Sequence, residues 1–288
     1  MGGMNYHIEL CFDDGVSWIA LPAPKVYDFA LEGPENPVGV GFILMDKLPG
    51  KSLRWSLATP EERRRVMDQI ANTFVELHSH AFDLLGSLLD IPGGLALTLK
   101  LISREEMYTQ RPVDAYLIHR FLTDLVPTIT PVSTGDIKFY LKHADDKGDH
   151  ILVDDDFNVT GIIDWEWAHT APPEHAFNSP VGFLPVSEFY GGNTAIGGGE
   201  AVFAELLEGR GRRDLAEHAR NGRVQHFFDF CCGYGLEDWD GFLGLFKGLR
   251  CAVGVDAGME WEEWKAVALR RYEGDQGLRA LLSRGAGS

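Results

Sequence analysis

The chain has 288 residues, of which 45% are hydrophobic and 24% are charged, an ordinary composition for a globular protein of one or two domains. The formal net charge of −17 argues against nucleic acids and anionic membrane surfaces as partners, whereas it favours solubility and a cationic small molecule. No apolar run approaches the ~20 residues of a membrane span, no signal-peptide pattern is visible, and the four cysteines lack zinc or disulfide spacing, so we expect a cytoplasmic protein without membrane contact.

The first part of the chain is predicted to be mainly β-structure. Residues 6–12 and 16–20 are strand-like segments on either side of an Asp-Asp-Gly turn, which predicts a hairpin. Residues 40–45 are a further apolar run, which predicts a buried strand that ends in a loop at Asp46. No glycine-rich phosphate-binding motif follows either segment, and Gly15 is only a turn residue.

Two capping-box patterns predict helix starts in the middle of the chain. The first, at residues 59–62, has Pro at the first helical position and precedes an apolar stripe at helical spacing. The second, at residues 103–106, predicts another helix start after a loop-like stretch over residues 81–100. Residues 114–125 have a further apolar stripe, and Pro127 is expected to end that helix.

Two short apolar runs, residues 151–153 and 159–163, predict a β-hairpin because the residues between them are Asp- and Asn-rich. Antiparallel strands bring the start of the first beside the end of the second. Asp145 and His150 precede the first strand, and Asp164 follows the second. Neighbouring carboxylates repel unless a cation or a shared proton lies between them. The spacing is compatible with Mg²⁺ or general-base chemistry, and equally with ordinary caps and turns.

The last third of the chain is predicted to be helical. Trp165 and Trp167, which follow the hairpin, are expected in the core. A last short helix is expected after Gly277. The clearest helical segments before it are Glu200–Glu208, Arg213–Cys232 and Glu260–Arg271.

The hairpin and its flanks resemble the catalytic and metal-binding segment of the aminoglycoside phosphotransferase family. That family carries His-Gly-Asp-x-x-x-x-Asn, a hairpin, and Ile-Asp-Trp; this chain has His143-Ala144-Asp145, His150 and Ile163-Asp164-Trp165. The resemblance implies a two-lobed, protein-kinase-like α+β fold. It implies a small, β-rich and truncated nucleotide-binding N-lobe (1–47) and a large, mainly helical C-lobe (48–288), which contains the catalytic hairpin (139–167) and the substrate-side helices.

The resemblance also implies a role for each matched residue. Asp145 would be the catalytic residue that accepts or orients the proton of a substrate hydroxyl, and Asp164 would bind Mg²⁺ against the phosphates of ATP. His150 would be the second metal ligand, where the family has Asn. Because imidazole suits transition metals better than Mg²⁺, His150 acts through a water, favours another cation such as Mn²⁺, or weakens metal binding.

Met45, Asp46 and Leu48 match the hinge at which the family reads adenine through backbone groups. The largest departure precedes them: Ala20 runs directly into residues 21–24, Leu-Pro-Ala-Pro, so the family's strand with a phosphate-binding basic residue and the helix with its acidic partner are missing. The resemblance implies an ATP-dependent phosphotransferase that acts on the hydroxyl of a small molecule. Its alternatives are a catalytically impaired, pseudokinase-like binding module and a metal-dependent hydrolase.

Overall fold

The computed structural model describes residues 25–34, 36–83, 86–87, 94–129, 138–145, 147–233 and 238–285. The predicted hairpin at residues 6–20 lies outside them. The strands are β1 (Val26–Ala30), β2 (Phe42–Met45), β3 (Lys51–Ser52), β4 (Gly86–Ser87), β5 (Tyr140–Lys142), β6 (Ile151–Val153), β7 (Val159–Ile162) and β8 (His169–Ala171). The α-helices are α1 (Pro60–His78), α2 (Gly94–Ser103), α3 (Pro112–Ile129), α4 (Pro173–Ala176), α5 (Val186–Tyr190), α6 (Gly198–Gly209), α7 (Arg213–Asn221), α8 (Arg223–Gly233), α9 (Trp239–Val253), α10 (Trp261–Arg271) and α11 (Gln276–Gly285).

The strands form small antiparallel sheets. β1 pairs with β2, with Ala30 opposite Phe42, and the other two sheets have the strand orders β3-β6-β7 and β4-β8-β5. The β6–β7 hairpin has the predicted bounds to within one residue, so this prediction is confirmed. Short sheets together with many helices confirm the α+β class.

The described parts of residues 1–89, 138–183 and 200–219 form one compact unit, and those of residues 90–137, 184–199 and 220–288 form a second. The division into residues 1–47 and 48–288 follows the lobes that the resemblance implies, and it stays a prediction. The first unit contains the hairpin with Asp145, His150 and Asp164. Among the residues that the structure describes, no helix is long and apolar enough to cross a membrane.

Helix α1 supplies one side of the first unit's core. Its capping box is confirmed: the Thr59 hydroxyl accepts from the Glu62 backbone N–H, and the Glu62 carboxylate accepts from the Thr59 N–H. The stripe that includes Val66 and Ile70 is buried against the hairpin residues Ile151, Val153 and Ile162 in one apolar cluster. The strands that carry the candidate site therefore rest on a packed core.

The second unit is built on α3. Phe121 of α3 contacts Phe246 of α9 and Trp264 of α10, with ring centroids 5.5 and 5.8 Å apart. The buried Trp264 donates its Nε1–H to Asp256, whose carboxylate also pairs with Arg271 at 2.8 Å. This aromatic centre with a satisfied polar edge fixes the helices of this unit.

Three helix predictions need correction. Residues 103–106 do not start a helix: Ser103 ends α2, which occupies part of the stretch predicted as loop, and Glu105 has a left-handed φ of 59°. The predicted helix over residues 213–232 is two helices, α7 and α8. Pro127 lies inside the last turn of α3 rather than beyond its end.

The two tryptophans after the hairpin differ. Trp165 packs against the core cluster, as predicted, whereas Trp167 is 51% exposed, so its prediction was wrong. Both belong to one short 3₁₀ turn, Trp165–Trp167, which points two neighbouring rings in different directions.

Candidate active site

The closed end of the β6–β7 hairpin is occupied by structural hydrogen bonds. Asp154 Oδ1 accepts from the backbone N–H groups of Asp156 and Asn158, at 2.9 and 2.8 Å. Asp154 Oδ2 accepts from the Asn158 side-chain amide, and these bonds from Asn158 hold the pKa of the Asp154 carboxyl below its usual value. Asp154 is therefore a turn residue, and the predicted site residues lie at the open end.

The open end holds the residues that the resemblance singles out. Ile151 lies opposite Ile162, and the His150 carbonyl then accepts from the Ile163 N–H at 2.9 Å. Asp164 comes directly after this bond and has φ 69° and ψ 47°, the left-handed conformation that Asp and Asn tolerate better than most residues. The hairpin ladder thus fixes His150 and Asp164 at the same end of two paired strands.

The Asp164 carboxylate has an unsatisfied oxygen. Its Oδ1 atom is buried and accepts no hydrogen bond from any residue that the structure describes. A buried carboxylate oxygen without a donor is costly unless a cation compensates it. Carboxylate oxygens are also the ligands that Mg²⁺ prefers. Asp164 therefore fits a hard divalent cation.

His143 links the loop of Asp145 to the segment of Asp164. Its Nε2 atom lies 2.9 Å from the Ile163 carbonyl oxygen, which can only accept, so Nε2 carries a proton and donates it. The His143 ring also stacks on His150, with centroids 4.2 Å apart, and meets the edge of Trp165. These contacts hold the two acidic segments at a fixed separation.

His150 is buried, and its orientation bears on metal binding. Its Nδ1 atom accepts the Gly148 N–H at 3.3 Å, so the neutral ring carries its proton on Nε2. A metal is bound by an imidazole nitrogen that has a free lone pair. Metal ligation by His150 therefore requires the Gly148 bond to break. No group of three or more His, Cys, Asp or Glu side chains among the described residues is placed to hold a metal ion.

Asp145 lies in the loop that enters β6, and its side chain is 37% exposed. The ammonium group of Lys147 lies 2.8 Å from Asp145 Oδ1. The backbone of this loop packs on Gly182, where an added Cβ would lie 2.9 Å from the Lys147 carbonyl oxygen. Sequence reasoning identified neither Lys147 nor Gly182, because only the tertiary fold brings Gly182 to this loop.

Met45 and Asp46, two of the residues predicted to form the hinge, take part in the β1–β2 pair. Met45 lies opposite Val26, and the Asp46 N–H donates to the Lys25 carbonyl at 2.9 Å. The Asp46 carboxylate accepts from the Tyr27 hydroxyl at 2.6 Å, and Leu48 follows half-buried. The Asp46 N–H is thus already used within the sheet. The adenine-binding role of Met45, Asp46 and Leu48 stays a prediction.

Comparison with known proteins finds relatives that differ in sequence identity and in the share of this chain that they match. Two subtelomeric hrmA-associated cluster proteins, from two strains of Aspergillus fumigatus, are each 38% identical over 72 residues, which is 24% of this chain and 14% of each relative. The chain thus matches only a small fraction of the length of these curated relatives.

Solved structures that match more of the chain are more distant in sequence. A ternary complex of a thermostable mutant of the aminoglycoside phosphotransferase APH(4)-Ia with AMP-PNP and hygromycin B is 16% identical, with 83% of this chain and 79% of that chain covered and a TM-score of 0.46. A GDP complex of a mutant aminoglycoside 2'-phosphotransferase-IIIa is 19% identical, with 94% of this chain and 78% of that chain covered and a TM-score of 0.45.

The family model of the phosphotransferase enzyme family (APH) matches residues 13–220, which is well over half of the chain and includes the hairpin and all the predicted site residues. The resemblance found in the sequence is confirmed by this match. The chain therefore belongs to the phosphotransferase enzyme family.

Proposed function

We propose that this protein is an ATP-dependent phosphotransferase that acts on the hydroxyl group of a small molecule in the cytoplasm. The observation that carries the proposal is the open end of the hairpin, where the buried Asp164 Oδ1 lacks a hydrogen-bond donor among the described residues and Asp145 remains accessible. Membership of the phosphotransferase family supports the reaction type. The net charge of −17 favours a cationic acceptor.

Asp145 has the chemistry of the catalytic base. In phosphoryl transfer the protein mainly positions the reactants and offsets charge. The acceptor hydroxyl oxygen forms a bond to the γ-phosphorus of ATP, and its proton passes to the Asp145 carboxylate. The bond between the γ-phosphorus and the β–γ bridging oxygen breaks, and its electron pair leaves with ADP. The partial exposure of Asp145 allows an acceptor to reach it.

Asp164 is the residue that would hold the divalent cation. Bound there, Mg²⁺ would offset the charge of the ATP phosphates. His150 would contribute only after release of the Gly148 N–H, and its nitrogen would then favour Mn²⁺ over Mg²⁺. His143 would keep the Asp145 loop at a fixed distance from Asp164 through its bond to the Ile163 carbonyl.

Calorimetric titration with ATP tests whether the nucleotide site works. We expect binding to the wild-type protein that is strengthened by Mg²⁺ or Mn²⁺, because Asp164 offers an uncompensated carboxylate oxygen. Titration with GTP and with AMP in parallel separates nucleotide recognition from general affinity for phosphate. Absence of ATP binding with either metal would contradict the proposal.

A pseudokinase-like binding module is the second candidate function. Two observations favour it: the Gly148 N–H engages His150 Nδ1, and the Lys25 carbonyl engages the Asp46 N–H. The His150 nitrogen is therefore not available to a metal ion, and the Asp46 N–H is not available to a nucleotide, unless these bonds break. ATP binding without phosphoryl transfer to any acceptor would support this candidate.

Gly182→Ala is expected to lower kcat by ~10-fold or more, because a small misplacement of a catalytic group is costly. The new Cβ would press on the Lys147 carbonyl, 2.9 Å away, and would shift the Asp145 loop. Steady-state kinetics with ATP and an acceptor measure the effect. Gly209→Ala is the matched control, since an added Cβ there meets no atom within 4 Å. Equal kcat for both variants would show that the loop tolerates the shift.

A further inference from the structure

An open cavity of about 490 Å³ lies beside the start of helix α3, within the second unit. This volume is within the range of small-molecule sites in proteins. Six residues line the cavity, five of them consecutive in the chain and one from α10: Gln110, Arg111, Pro112, Val113, Asp114 and Lys265. The cavity thus has two cationic side chains, one carboxylate and one amide along its wall.

The Asp114 carboxylate lies between the two cations. The Asp114 side chain is only 8% exposed, with Arg111 Nη1 at 3.3 Å from Oδ2 and Lys265 Nζ at 2.6 Å from Oδ1. One opposite charge is enough to compensate one buried carboxylate, so the three groups together leave one positive charge in excess. Among the residues that the structure describes, neither cation has a second carboxylate within ion-pair distance.

Arg111 is held in place by its backbone and by its guanidinium group. Its backbone N–H donates to the Tyr108 carbonyl at 3.0 Å, and its carbonyl accepts from the Ala115 N–H at 2.9 Å. The guanidinium lies over the Trp239 ring, with its central carbon 4.5 Å from the ring centroid. The bond to Asp114 uses Nη1 only, and 45% of the side chain is exposed, so further N–H donors of the guanidinium remain for an oxyanion.

Lys265 approaches the same carboxylate from α10. Its ammonium nitrogen is 2.6 Å from Asp114 Oδ1, yet this oxygen accepts no directed hydrogen bond from the described part of the chain. The contact is therefore an ion pair, and the N–H donors of the ammonium group remain for another acceptor. The Lys265 side chain is 30% exposed, so such an acceptor can reach it from the cavity.

We propose that this cavity binds an anionic small molecule through a phosphate or carboxylate group, which Arg111 and Lys265 bind while Asp114 keeps the two cations in position. Both cations contact one carboxylate, so they are close enough to share the oxygens of a second oxyanion. The net charge of −17 repels anions, but exposed charges are screened beyond ~8 Å at physiological ionic strength, so the local cations dominate. The inference goes beyond the proposed phosphotransferase function and does not depend on ATP.

Calorimetric titration with inorganic phosphate and with succinate, each compared with chloride at the same ionic strength, tests the site. The variants are Arg111→Met and Lys265→Met, each of which leaves Asp114 paired with the remaining cation, and Lys265→Arg, which keeps the charge. Lys247→Met is the matched control, because Lys247 pairs with Glu260 at 2.6 Å, is 44% exposed and does not line the cavity. Thermal melts check folding.

We expect phosphate or succinate to bind the wild-type protein more tightly than chloride. Arg111→Met and Lys265→Met should each raise the dissociation constant by ~10-fold or more, as for the loss of one hydrogen bond to a charged group. Lys265→Arg should bind nearly as the wild type does, since guanidinium also pairs with oxyanions, and Lys247→Met should match the wild type. Tighter binding of phosphate would indicate a phosphate-bearing ligand, and tighter binding of succinate a carboxylate-bearing one.

Three results would overturn the inference. Binding of both oxyanions no tighter than that of chloride would show that the two cations only compensate Asp114. Unchanged oxyanion affinity in Arg111→Met and Lys265→Met would place the binding elsewhere on the protein. An equal loss of affinity in Lys247→Met would show a general effect of charge rather than a site.

Discussion

Asp145→Asn is expected to lower kcat for phosphoryl transfer by ~10³-fold, within the range of a lost general base. The amide keeps the size of the carboxylate but cannot accept the hydroxyl proton. The substitution also removes the ion pair with Lys147, which is exposed and contributes little to stability. The measurement is the initial rate of ADP formation at saturating ATP and acceptor, with the melting temperature as a check on folding.

Asp155→Asn is the control for this substitution. Asp155 lies in the hairpin turn, pairs with Lys51 at 2.8 Å and is almost fully exposed, so its loss should leave kcat unchanged. A rate for Asp145→Asn close to that of Asp155→Asn would remove Asp145 from the mechanism. The hairpin would then carry no proton transfer at its open end.

Asp164→Asn is expected to lower kcat/KM for ATP by ~10³-fold, because metal coordination supplies several kcal/mol of charge stabilisation. The fold should be retained, since Asn adopts the left-handed backbone of residue 164 as readily as Asp. Stability should not fall, because the buried Oδ1 accepts no hydrogen bond from the described residues and its charge is removed. The rate is measured as a function of Mg²⁺ concentration, and the half-saturating concentration should rise.

His150→Asn serves as the comparison for Asp164→Asn. It introduces the oxygen ligand that the family carries at this position, and it removes the acceptor of the Gly148 N–H. A lower half-saturating Mg²⁺ concentration in His150→Asn would assign His150 to the metal site. Unchanged Mg²⁺ dependence in Asp164→Asn would show that the cation binds elsewhere.

The parts of the fold that local chemistry determines were predictable. The hairpin was read from two apolar runs around an Asp- and Asn-rich turn, and the turn forms through the side chain of Asp154. The start of α1 was read from a capping box whose two reciprocal bonds are present. The same motif at Ser103 gave a wrong prediction of a helix start, because Glu105 takes a left-handed conformation, which is typical of a helix end.

Helix α9 lies in the part of the chain predicted to be helical but was not among its clearest segments, because its stability depends on tertiary packing. It contains Gly241, Gly244 and Gly248, and each glycine disfavours an isolated helix by ~1 kcal/mol relative to alanine. A Cβ on Gly244 would overlap the Tyr190 carbonyl oxygen of α5. The glycines allow the two helices to approach closely, and no local pattern reports that contact.

The candidate site likewise has features that the sequence predicted and features that it did not. Asp145, His150 and Asp164 were found from their spacing around the hairpin and from the family resemblance. The orientation of His150 toward the Gly148 N–H, the Lys147–Asp145 contact and the packing of Gly182 depend on side-chain conformations and on distant segments. The position of these residues at one end of the hairpin was thus predictable, whereas their hydrogen bonds were not, and their catalytic and metal-binding roles stay predictions.

Phosphorus NMR of the protein with ATP, Mg²⁺ and a panel of hydroxyl compounds tests the central claim most directly. The panel contains an aminoglycoside, a choline-like alcohol and a sugar. We predict the appearance of a phosphate monoester and of ADP with at least one acceptor, and no such signal with Asp145→Asn. Release of inorganic phosphate alone would indicate a hydrolase, and unchanged ATP signals with every acceptor would contradict the phosphotransferase and leave the binding module.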